Sequence, residues 1–481
     1  MIVIVLGRAA QFILLLLVMR VATTYLPPEE MGRLSLITAT VAFFALSFVN
    51  PVGMFINRRF HAWDAFGRAA YYLKLHWFYL SAVCVIAALS LTLFNQINAF
   101  GFQFNLMWLL LLVCGSLLFN TINQTSIPLL NMLELRGRFI LLTLATIGAG
   151  LVTSFLLITS YEKTAEFWTL GLLIGQAFFA LIGVKMLFDK LKPQVKVSKP
   201  TSEHFWLLFH FAWPVAISVG FNWLQTQGYR FLMADTLGLV DLGLFVVGYG
   251  ISAGLIAAFE SVLTTYFQPK FYKNVSRNNS VEQSLAWNKY AGAILPSLIV
   301  VMLLIIGLAT ELTYLIVGPE YQSSSQFIVW GVMAEGGRVI ASIYGLSAHA
   351  KMKTQLLLVP NIIAAFACIA LIWVLAPGFG AQGVGWARVL AAFGMILIMH
   401  TMMTREFELK LPYLLLLKGA AMGGVLIAIT VAGRWLLEGA SSLVEAGVLI
   451  IGTGLTFLPM FFWLLYPFLP RHDIQQETES L

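Results

Sequence analysis

The stretch LPPEEMGRLSLITATVAFFALSFVNPVGMFINRRF (Leu26–Phe60) aligns without a gap with LGLVDLGLFVVGYGISAGLIAAFESVLTTYFQPKF (Leu237–Phe271), 211 residues further along the chain. Each copy opens with a turn that ends in an acidic residue, any residue and glycine. An apolar run follows, and the copy ends in a basic residue and phenylalanine. We interpret the match as an internal duplication. Two copies in the same direction predict two six-helix lobes related by a parallel repeat, with a substrate site between them.

The composition outside these copies is also that of a membrane protein. Of the 481 residues, 59% are hydrophobic and only 11% are charged, whereas a soluble domain has about 25% charged residues. A membrane-spanning helix uses about 20 residues, so fourteen would take about 280 and leave only short connections. The composition therefore predicts an all-α polytopic membrane protein and excludes a large soluble catalytic domain.

Apolar runs that are broken by polar or Pro/Gly clusters predict about fourteen spans. The first run has no basic segment before it, so we read it as a retained helix and not as a cleaved signal. We expect a break near Trp213-Pro214 in the long seventh run. The predicted spans are 1–24, 34–56, 77–94, 106–130, 139–160, 167–187, 205–234, 243–267, 290–310, 327–349, 354–376, 383–403, 413–433 and 446–468.

The distribution of Lys and Arg predicts the orientation. Twenty-one of the 29 lie in one set of loops or in the tail, and only Arg33, Lys163 and Arg434 lie in the alternate loops. Positive residues collect on the cytoplasmic side of bacterial membranes, so both termini are predicted to be cytoplasmic. The net charge of +7 then reflects this topology and gives no reason to expect nucleic acid as a partner.

Five arginines fall inside predicted spans: Arg8, Arg20, Arg230, Arg338 and Arg388. An arginine near the centre of a span costs about 2.5–3.5 kcal/mol on insertion scales, which suggests that some face a cavity or a ligand. Each also has a structural alternative. Arg8, Arg20 and Arg230 could extend to the interface, Arg388 could anchor a helix end, and Arg338 could pair with Glu335 three residues earlier.

Only Glu260 and Glu335 are acidic at similar depth, so the excess of charge inside the spans is positive. Guanidinium groups bind phosphate oxygens bidentately and stay charged. A phosphate or pyrophosphate head group therefore fits better than a cationic or neutral solute. Glu260 is either the partner of an arginine or a protonatable coupling residue.

The end of the seventh span combines aromatic and amide side chains. Trp223 and Tyr229 lie close in sequence to Asn222, Gln225 and Arg230. Most aromatic residues in such proteins serve membrane belts and packing. Amides beside aromatic faces also suit sugar hydroxyls, so we take this segment as a candidate sugar contact.

Motifs of enzymatic chemistry are absent from the sequence. There is no Gly-x-x-x-x-Gly-Lys loop, no His-Glu-x-x-His and no metal-ligand spacing of cysteines. Cys84, Cys114 and Cys368 lie singly in apolar runs. We expect no enzymatic activity, no catalytic residue, no metal and no cofactor.

Two segments resemble the Wzx-type polysaccharide flippases, which export O-antigen repeat units, within the MOP (multidrug/oligosaccharidyl-lipid/polysaccharide) exporter superfamily. They are Arg20–Arg59 and Tyr229–Lys273, and the second is similar to the family pattern Arg, Leu-Gly, Gly-x-Phe/Tyr and Pro-x-Phe. The resemblance implies two MATE-like six-helix lobes with a central cavity lined by spans one, two, seven and eight. It places Arg8, Arg20, Arg230 and Glu260 at that cavity, and Arg58 and Arg59 at its cytoplasmic mouth. Arg338 and Arg388 fall outside that set.

The resemblance also implies domains, substrate and partners. The expected domains are an N-lobe (1–187), a basic linker (188–204), a C-lobe (205–403) and two further spans with a tail (404–481). The expected substrate is an undecaprenyl-pyrophosphate-linked oligosaccharide, which is moved to the periplasmic leaflet of the inner membrane by alternating access for lipopolysaccharide biosynthesis. A polysaccharide polymerase, a chain-length regulator and membrane lipid are the other expected partners of a monomer. The alternatives are a flippase for lipid II or another lipid-linked sugar, and a MATE-type multidrug exporter.

Overall fold

A computed structural model describes residues 2–96, 104–193, 202–275, 280–350, 354–405, 408–437 and 442–468. These residues form helices and short connections, with no β-strand among them. The all-α fold predicted from the composition is therefore confirmed. Part of the predicted linker and the C-terminal tail lie outside the described residues, as do six of the basic residues that carry the topology prediction: Lys196, Lys199, Arg277, Lys351, Lys353 and Arg471.

Sixteen α-helices follow one another along the described chain. One π-helical segment, Ala45–Val49, joins α2 to α3, and the 3₁₀ turn Pro319–Ser324 precedes α13. The helices are α1 (Ile2–Tyr25), α2 (Pro28–Phe44), α3 (Asn50–Ala65), α4 (Ala69–Gln96), α5 (Leu106–Met132), α6 (Arg136–Ser160), α7 (Ala165–Phe188), α8 (Ser202–Thr226), α9 (Tyr229–Leu237), α10 (Leu239–Val275), α11 (Ser280–Gly307), α12 (Ala309–Ile316), α13 (Ser325–Ala350), α14 (Leu358–Met403), α15 (Tyr413–Leu436) and α16 (Leu443–Leu465).

Twelve helical stretches in the described residues are long and apolar enough to cross a membrane. One of them, Gln355–Met403, contains two of the predicted spans. The chain turns there at Gly380, whose φ of 57° favours glycine because it has no Cβ. The seventh predicted span corresponds to α8 and α9 and is not among the twelve. The structure is therefore that of a multi-pass membrane protein.

The break in the seventh span lies at a different place from the one predicted. Pro214 is inside α8, and the helix is interrupted at Gln227-Gly228 instead. The amide of Gly228 donates to the carbonyls of Trp223 (3.2 Å) and Leu224 (3.1 Å), so the irregular turn keeps backbone hydrogen bonds. An interior proline is tolerated in a membrane helix where neighbouring groups satisfy the freed backbone carbonyl, whereas glycine lowers helical stability at any interior position.

The two copies of the repeat begin their helices at matched positions and cross there. Helix α2 begins at Pro28 and α10 begins at Leu239, 211 residues later. A Cβ on Gly243 would meet the carbonyl oxygen of Pro28, and a Cβ on Gly32 would meet that of Leu239. Matched glycines therefore let matched helix starts approach each other reciprocally, as duplicated segments related by a two-fold operation do.

The described residues fall into two compact units. The first contains 1–247, 316–324 and 361–391, and the second contains 248–315, 325–360 and 392–481. In the first unit, α7 packs closely on α6 because small residues meet: a Cβ on Gly171 would meet Ser154, and one on Gly175 would meet Gly150. Small residues are typical of helix contacts in membranes. The lobe boundaries 1–187 and 205–403 stay a prediction.

Candidate functional site

Arg230 lies at the start of α9, directly after the break in the seventh span. One terminal nitrogen of its guanidinium donates to the carbonyl of Ser35 (3.1 Å) and to the hydroxyl of Thr38 (3.4 Å). Its Nε is buried and has no hydrogen-bond partner among the described residues. No carboxylate of the described chain forms an ion pair with it either. Arg230 therefore has no carboxylate partner among the described residues and keeps an unused donor.

The ring of Tyr229 packs against the guanidinium groups of Arg230 and Arg388. The ring is fully buried and packs edge-on against Phe245 at 5.6 Å. The guanidinium carbon of Arg388 lies 4.2 Å from the ring centroid, and that of Arg230 lies 5.9 Å away. Two cations thus share one aromatic ring, an arrangement that the electron-rich face of tyrosine stabilises. In this conformation Tyr229 positions the arginines, whereas the sequence suggested that it contacts the substrate.

Arg388 is buried and does not occupy the exposed helix end that the interface-anchor interpretation required. It lies in the second half of α14 and donates to the carbonyl of Thr226 at 3.1 Å. Thr226 is the last residue of α8, so Arg388 binds a carbonyl that the helix break leaves without its intrahelical donor. Sequence reasoning left Arg388 outside the candidate site, because nothing local links position 388 to position 226.

The other candidates on α8 contact protein in this structure. The indole nitrogen of Trp223 donates to the carbonyl of Ala39 (2.9 Å), and its ring meets Phe43 at 4.9 Å. Trp223 also lines an apolar cavity of about 390 Å³ together with five phenylalanines. For Asn222 and Gln225 the contacts are through the backbone: the Asn222 backbone carbonyl accepts from the Thr226 hydroxyl, and the Gln225 backbone carbonyl lies 4.0 Å from the sulfur of Cys368. Both side chains are half-buried.

Arg20 holds the segment 316–324 against the end of α1. Its guanidinium donates to the carbonyl of Val317. The amide of Gly318 donates to the hydroxyl of Thr23 (3.0 Å), and the hydroxyl of Tyr321 donates to the carbonyl of Leu26 (2.7 Å). The structure therefore gives Arg20 a backbone partner, and its contact with a substrate stays a prediction.

Three further candidates, Arg8, Arg58 and Arg59, are exposed. Arg8 donates to Gln11 (2.8 Å) and lies over the ring of Phe139 at 5.4 Å. Arg58 and Arg59 lie exposed on the last turns of α3, and Arg59 lies 5.8 Å from the ring of Phe55.

Two acidic residues of the second unit, Glu260 and Glu335, form a cluster with Arg338. Its Nε donates to Glu335 (2.6 Å) and a terminal nitrogen donates to Glu260 (2.8 Å). Glu335 also accepts from Tyr249 (2.5 Å), and Glu260 accepts from Ser342 (3.2 Å). In this structure Glu335 and Arg338 form an ion pair, and the arginine that faces Glu260 is Arg338.

A second buried ion pair was missed by sequence reasoning. Glu311 is fully buried and accepts from two nitrogens of Arg434, at 2.6 Å each. The sequence placed both in loops, because the short helix α12 and the last turn of α15 extend past the apolar runs. No group of three His, Cys, Asp or Glu that could hold a metal is present in the described ranges.

Comparison with solved structures identifies the fold. The lipid II flippase MurJ, in an inward closed conformation, superposes with a TM-score of 0.70 at 15% identity, over 97% of this chain and 99% of that one. An inward-facing multidrug resistance MATE family transporter of the MOP superfamily gives 0.59 at 14% identity, over 82% and 95%. A MOP superfamily transporter from Pyrococcus furiosus gives 0.56 at 14% identity, over 84% and 94%.

No family model and no curated protein matches the sequence. At these identities the likeness establishes a shared fold. The chain therefore has the fold of MurJ and of MATE transporters, and these similar structures are of transporters and flippases and not of enzymes.

Proposed function

We propose that this protein is a flippase of the bacterial inner membrane with cytoplasmic termini. It would move undecaprenyl-pyrophosphate-linked oligosaccharide repeat units to the periplasmic leaflet by alternating access, for O-antigen and lipopolysaccharide biosynthesis. The observation that carries the proposal is the guanidinium of Arg230. It is half-buried and uses only one of its nitrogens on protein acceptors.

A diphosphate is the ligand that matches such a group. Guanidinium binds two phosphate oxygens at once, with charge-assisted hydrogen bonds that are about twice as strong as neutral ones. The positive charge would be costly inside a membrane without a counter-ion. A lipid diphosphate would supply that counter-ion, and Arg230 would in turn stabilise the negative charge of the diphosphate as it crosses. Arg8, Arg58 and Arg59 are exposed and remain candidates for the first contact with the head group.

A lipid II flippase is the second candidate. The lipid II flippase MurJ superposes on nearly the whole chain, with a higher TM-score than the MATE family transporter (0.70 against 0.59). Both candidate substrates carry a diphosphate, so Arg230 does not distinguish them. A MATE-type exporter of cationic drugs fits less well, since the only two acidic residues inside predicted spans, Glu260 and Glu335, are both paired with Arg338.

We also propose the cluster of Glu260, Glu335 and Arg338 as the coupling site. Two carboxylates share one guanidinium there. Protonation of one carboxylate would therefore leave the other paired, which allows the cluster to bind and release a proton without leaving the arginine alone.

The test is replacement of Arg230 by alanine and by lysine in a strain that depends on this protein for its surface polysaccharide. Removal of a charge-assisted hydrogen bond costs about 1.5–3 kcal/mol, so we expect R230A to lower export by about 10–100-fold at normal protein abundance. R230K should restore part of it, because lysine keeps the charge and loses the bidentate geometry.

Arg68→Ala is the matched control, because Arg68 is an exposed arginine in the turn between α3 and α4. Export at the parental level in R230A, with R68A unchanged, would refute the proposal. Restored peptidoglycan synthesis in a strain that lacks its lipid II flippase would instead favour the second candidate.

A further inference from the structure

A polar cavity of about 480 Å³ lies inside the first unit, between the α2–α3 helix, α5 and α7. Cavities of about 300–1,000 Å³ are typical of binding sites for small organic ligands. The wall contributed by α2 and α3 extends from Leu34 to Asn57. At 1.5 Å per residue this wall is about 35 Å long, which is close to the thickness of the hydrocarbon core, about 30 Å.

Half of the residues that line this cavity are polar, and all of the polar ones are hydroxyls or amides. No charged side chain is among the described lining residues. The set therefore contains both hydrogen-bond donors and acceptors without net charge. Its polar members are Thr38, Asn50, Asn57, Ser116, Asn120, Thr121, Gln124, Thr125, Thr169 and Gln176.

Several of these side chains are not used by the protein. No side-chain hydrogen bond to a described residue is formed by Thr121 or Thr125 on α5, by Gln176 on α7, or by Asn50 and Asn57 on α3. This differs from the threonines Thr143 and Thr159 of α6, whose hydroxyls donate to their own helix carbonyls at 2.8 and 2.7 Å. Such a back-bond is the usual way for a threonine in an apolar helix to satisfy its hydroxyl. The free hydroxyls of α5 thus leave hydrogen-bonding capacity for a ligand.

The chemistry of the wall selects the class of ligand. A bound cation is usually balanced by carboxylates, and an anion needs a positive group, whereas the described wall contains no acidic and no basic side chain. A hydrocarbon chain would leave the five unused polar side chains without partners, at a cost for each. A neutral molecule that is rich in hydroxyls matches the wall, because each hydroxyl both donates and accepts.

One end of the cavity lies next to the proposed diphosphate site. Thr38 lines the cavity and also accepts the hydrogen bond from Arg230 at 3.4 Å. A diphosphate on Arg230 would therefore place the sugar attached to it at the mouth of the cavity. The remaining sugars would extend along α2 and α3 towards Asn57.

We propose that this cavity, the polar track, is where the neutral sugars of the lipid-linked substrate are held during transport. The proposal rests on the proposed function. The proposal extends the proposed function because it assigns the oligosaccharide to α5 and α7. The sequence had instead suggested the amides of Asn222 and Gln225 on α8. A head group with one sugar would use only the mouth of the track, and a longer oligosaccharide would use its length.

The experiment uses the full chain in proteoliposomes and two probes. They are polyprenyl pyrophosphate with one hexose and polyprenyl pyrophosphate with a neutral tetrasaccharide, and their arrival at the opposite face is measured with a membrane-impermeant lectin. The variants are T121V/T125V and Q176M, which remove hydrogen-bonding groups with little change of volume. The double variant T143V/T159V is the matched control, since its hydroxyls bond within α6.

We expect wild type and control to move both probes. T121V/T125V and Q176M should move the tetrasaccharide lipid at least about tenfold more slowly, with less than about a twofold effect on the single-hexose lipid. Equal slowing of both probes, or no slowing of either, would overturn the polar track and leave the proposed function standing. Failure of the wild type to move either probe would overturn the proposed function, and the track with it.

Discussion

Replacement of Gly243 by alanine would place a methyl group where the carbonyl oxygen of Pro28 lies, at the crossing of α2 and α10. The obstacle is backbone, so no side-chain rotamer can relieve it, and one helix start must move. Overpacking of a close contact costs about 1–3 kcal/mol. Alanine also stabilises a helix relative to glycine by about 0.5–1 kcal/mol, which partly hides the cost.

Gly254 on the same helix provides the matched control, because a Cβ there would meet nothing within 4 Å. Both variants gain the helical preference of alanine, so the difference between them isolates the steric cost. We expect G243A to be less stable than G254A by about 1–3 kcal/mol in the free energy of unfolding. G254A itself should equal or exceed the wild type.

The measurement is equilibrium unfolding of the purified protein in mixed micelles, with tryptophan fluorescence as the signal. G32A extends the test, because Gly32 approaches the carbonyl of Leu239 in the matched position of the repeat. It should carry a similar penalty, and G32A/G243A should be less costly than the sum, since one displacement of the helix starts relieves both overlaps. Equal stabilities of G243A and G254A would refute the reciprocal crossing.

Two further predictions concern buried charges. Arg434→Ala should lower the free energy of unfolding by about 3–5 kcal/mol, because it leaves the fully buried Glu311 without its cation. The double variant E311Q/R434M should recover most of that loss in the same unfolding titration, and an additive loss would contradict the ion-pair explanation. Glu260→Gln should abolish the dependence of transport on an imposed pH difference in proteoliposomes, while glutamine still accepts from Arg338. Unchanged pH dependence would limit Glu260 to an ion-pair role.

The sequence predicted the parts of the site that depend on local spacing. Glu335 and Arg338 are three residues apart on one helix, so their ion pair followed from helical geometry. The matched glycines Gly32 and Gly243 followed from the repeat. Arg230 was identified because a charge inside an apolar run is costly wherever the helix packs.

Contacts between residues that are distant in the sequence could not be predicted from it. Nothing in the sequence links Glu260 with Arg338, Arg388 with Thr226, or Arg20 with Val317, because the members of each pair come from different segments of the chain. The expected break at Pro214 was also wrong, since the position of an interruption depends on what the surrounding helices offer to the freed backbone groups.

The sequence by itself determined a helical membrane protein with a duplicated segment and an excess of positive charge at depth. A hydrocarbon solvent forces every spanning backbone into helices or closed barrels, so apolar length and charge placement are sufficient for that conclusion. Only the tertiary structure decided which arginine remains available. Arg20, Arg338 and Arg434 meet carbonyls or carboxylates brought by other segments of the chain, whereas Arg230 keeps an unused donor beside an uncharged polar cavity. That difference arises from helix packing, because periodicity relates residues within one helix and carries no information about the neighbour across it.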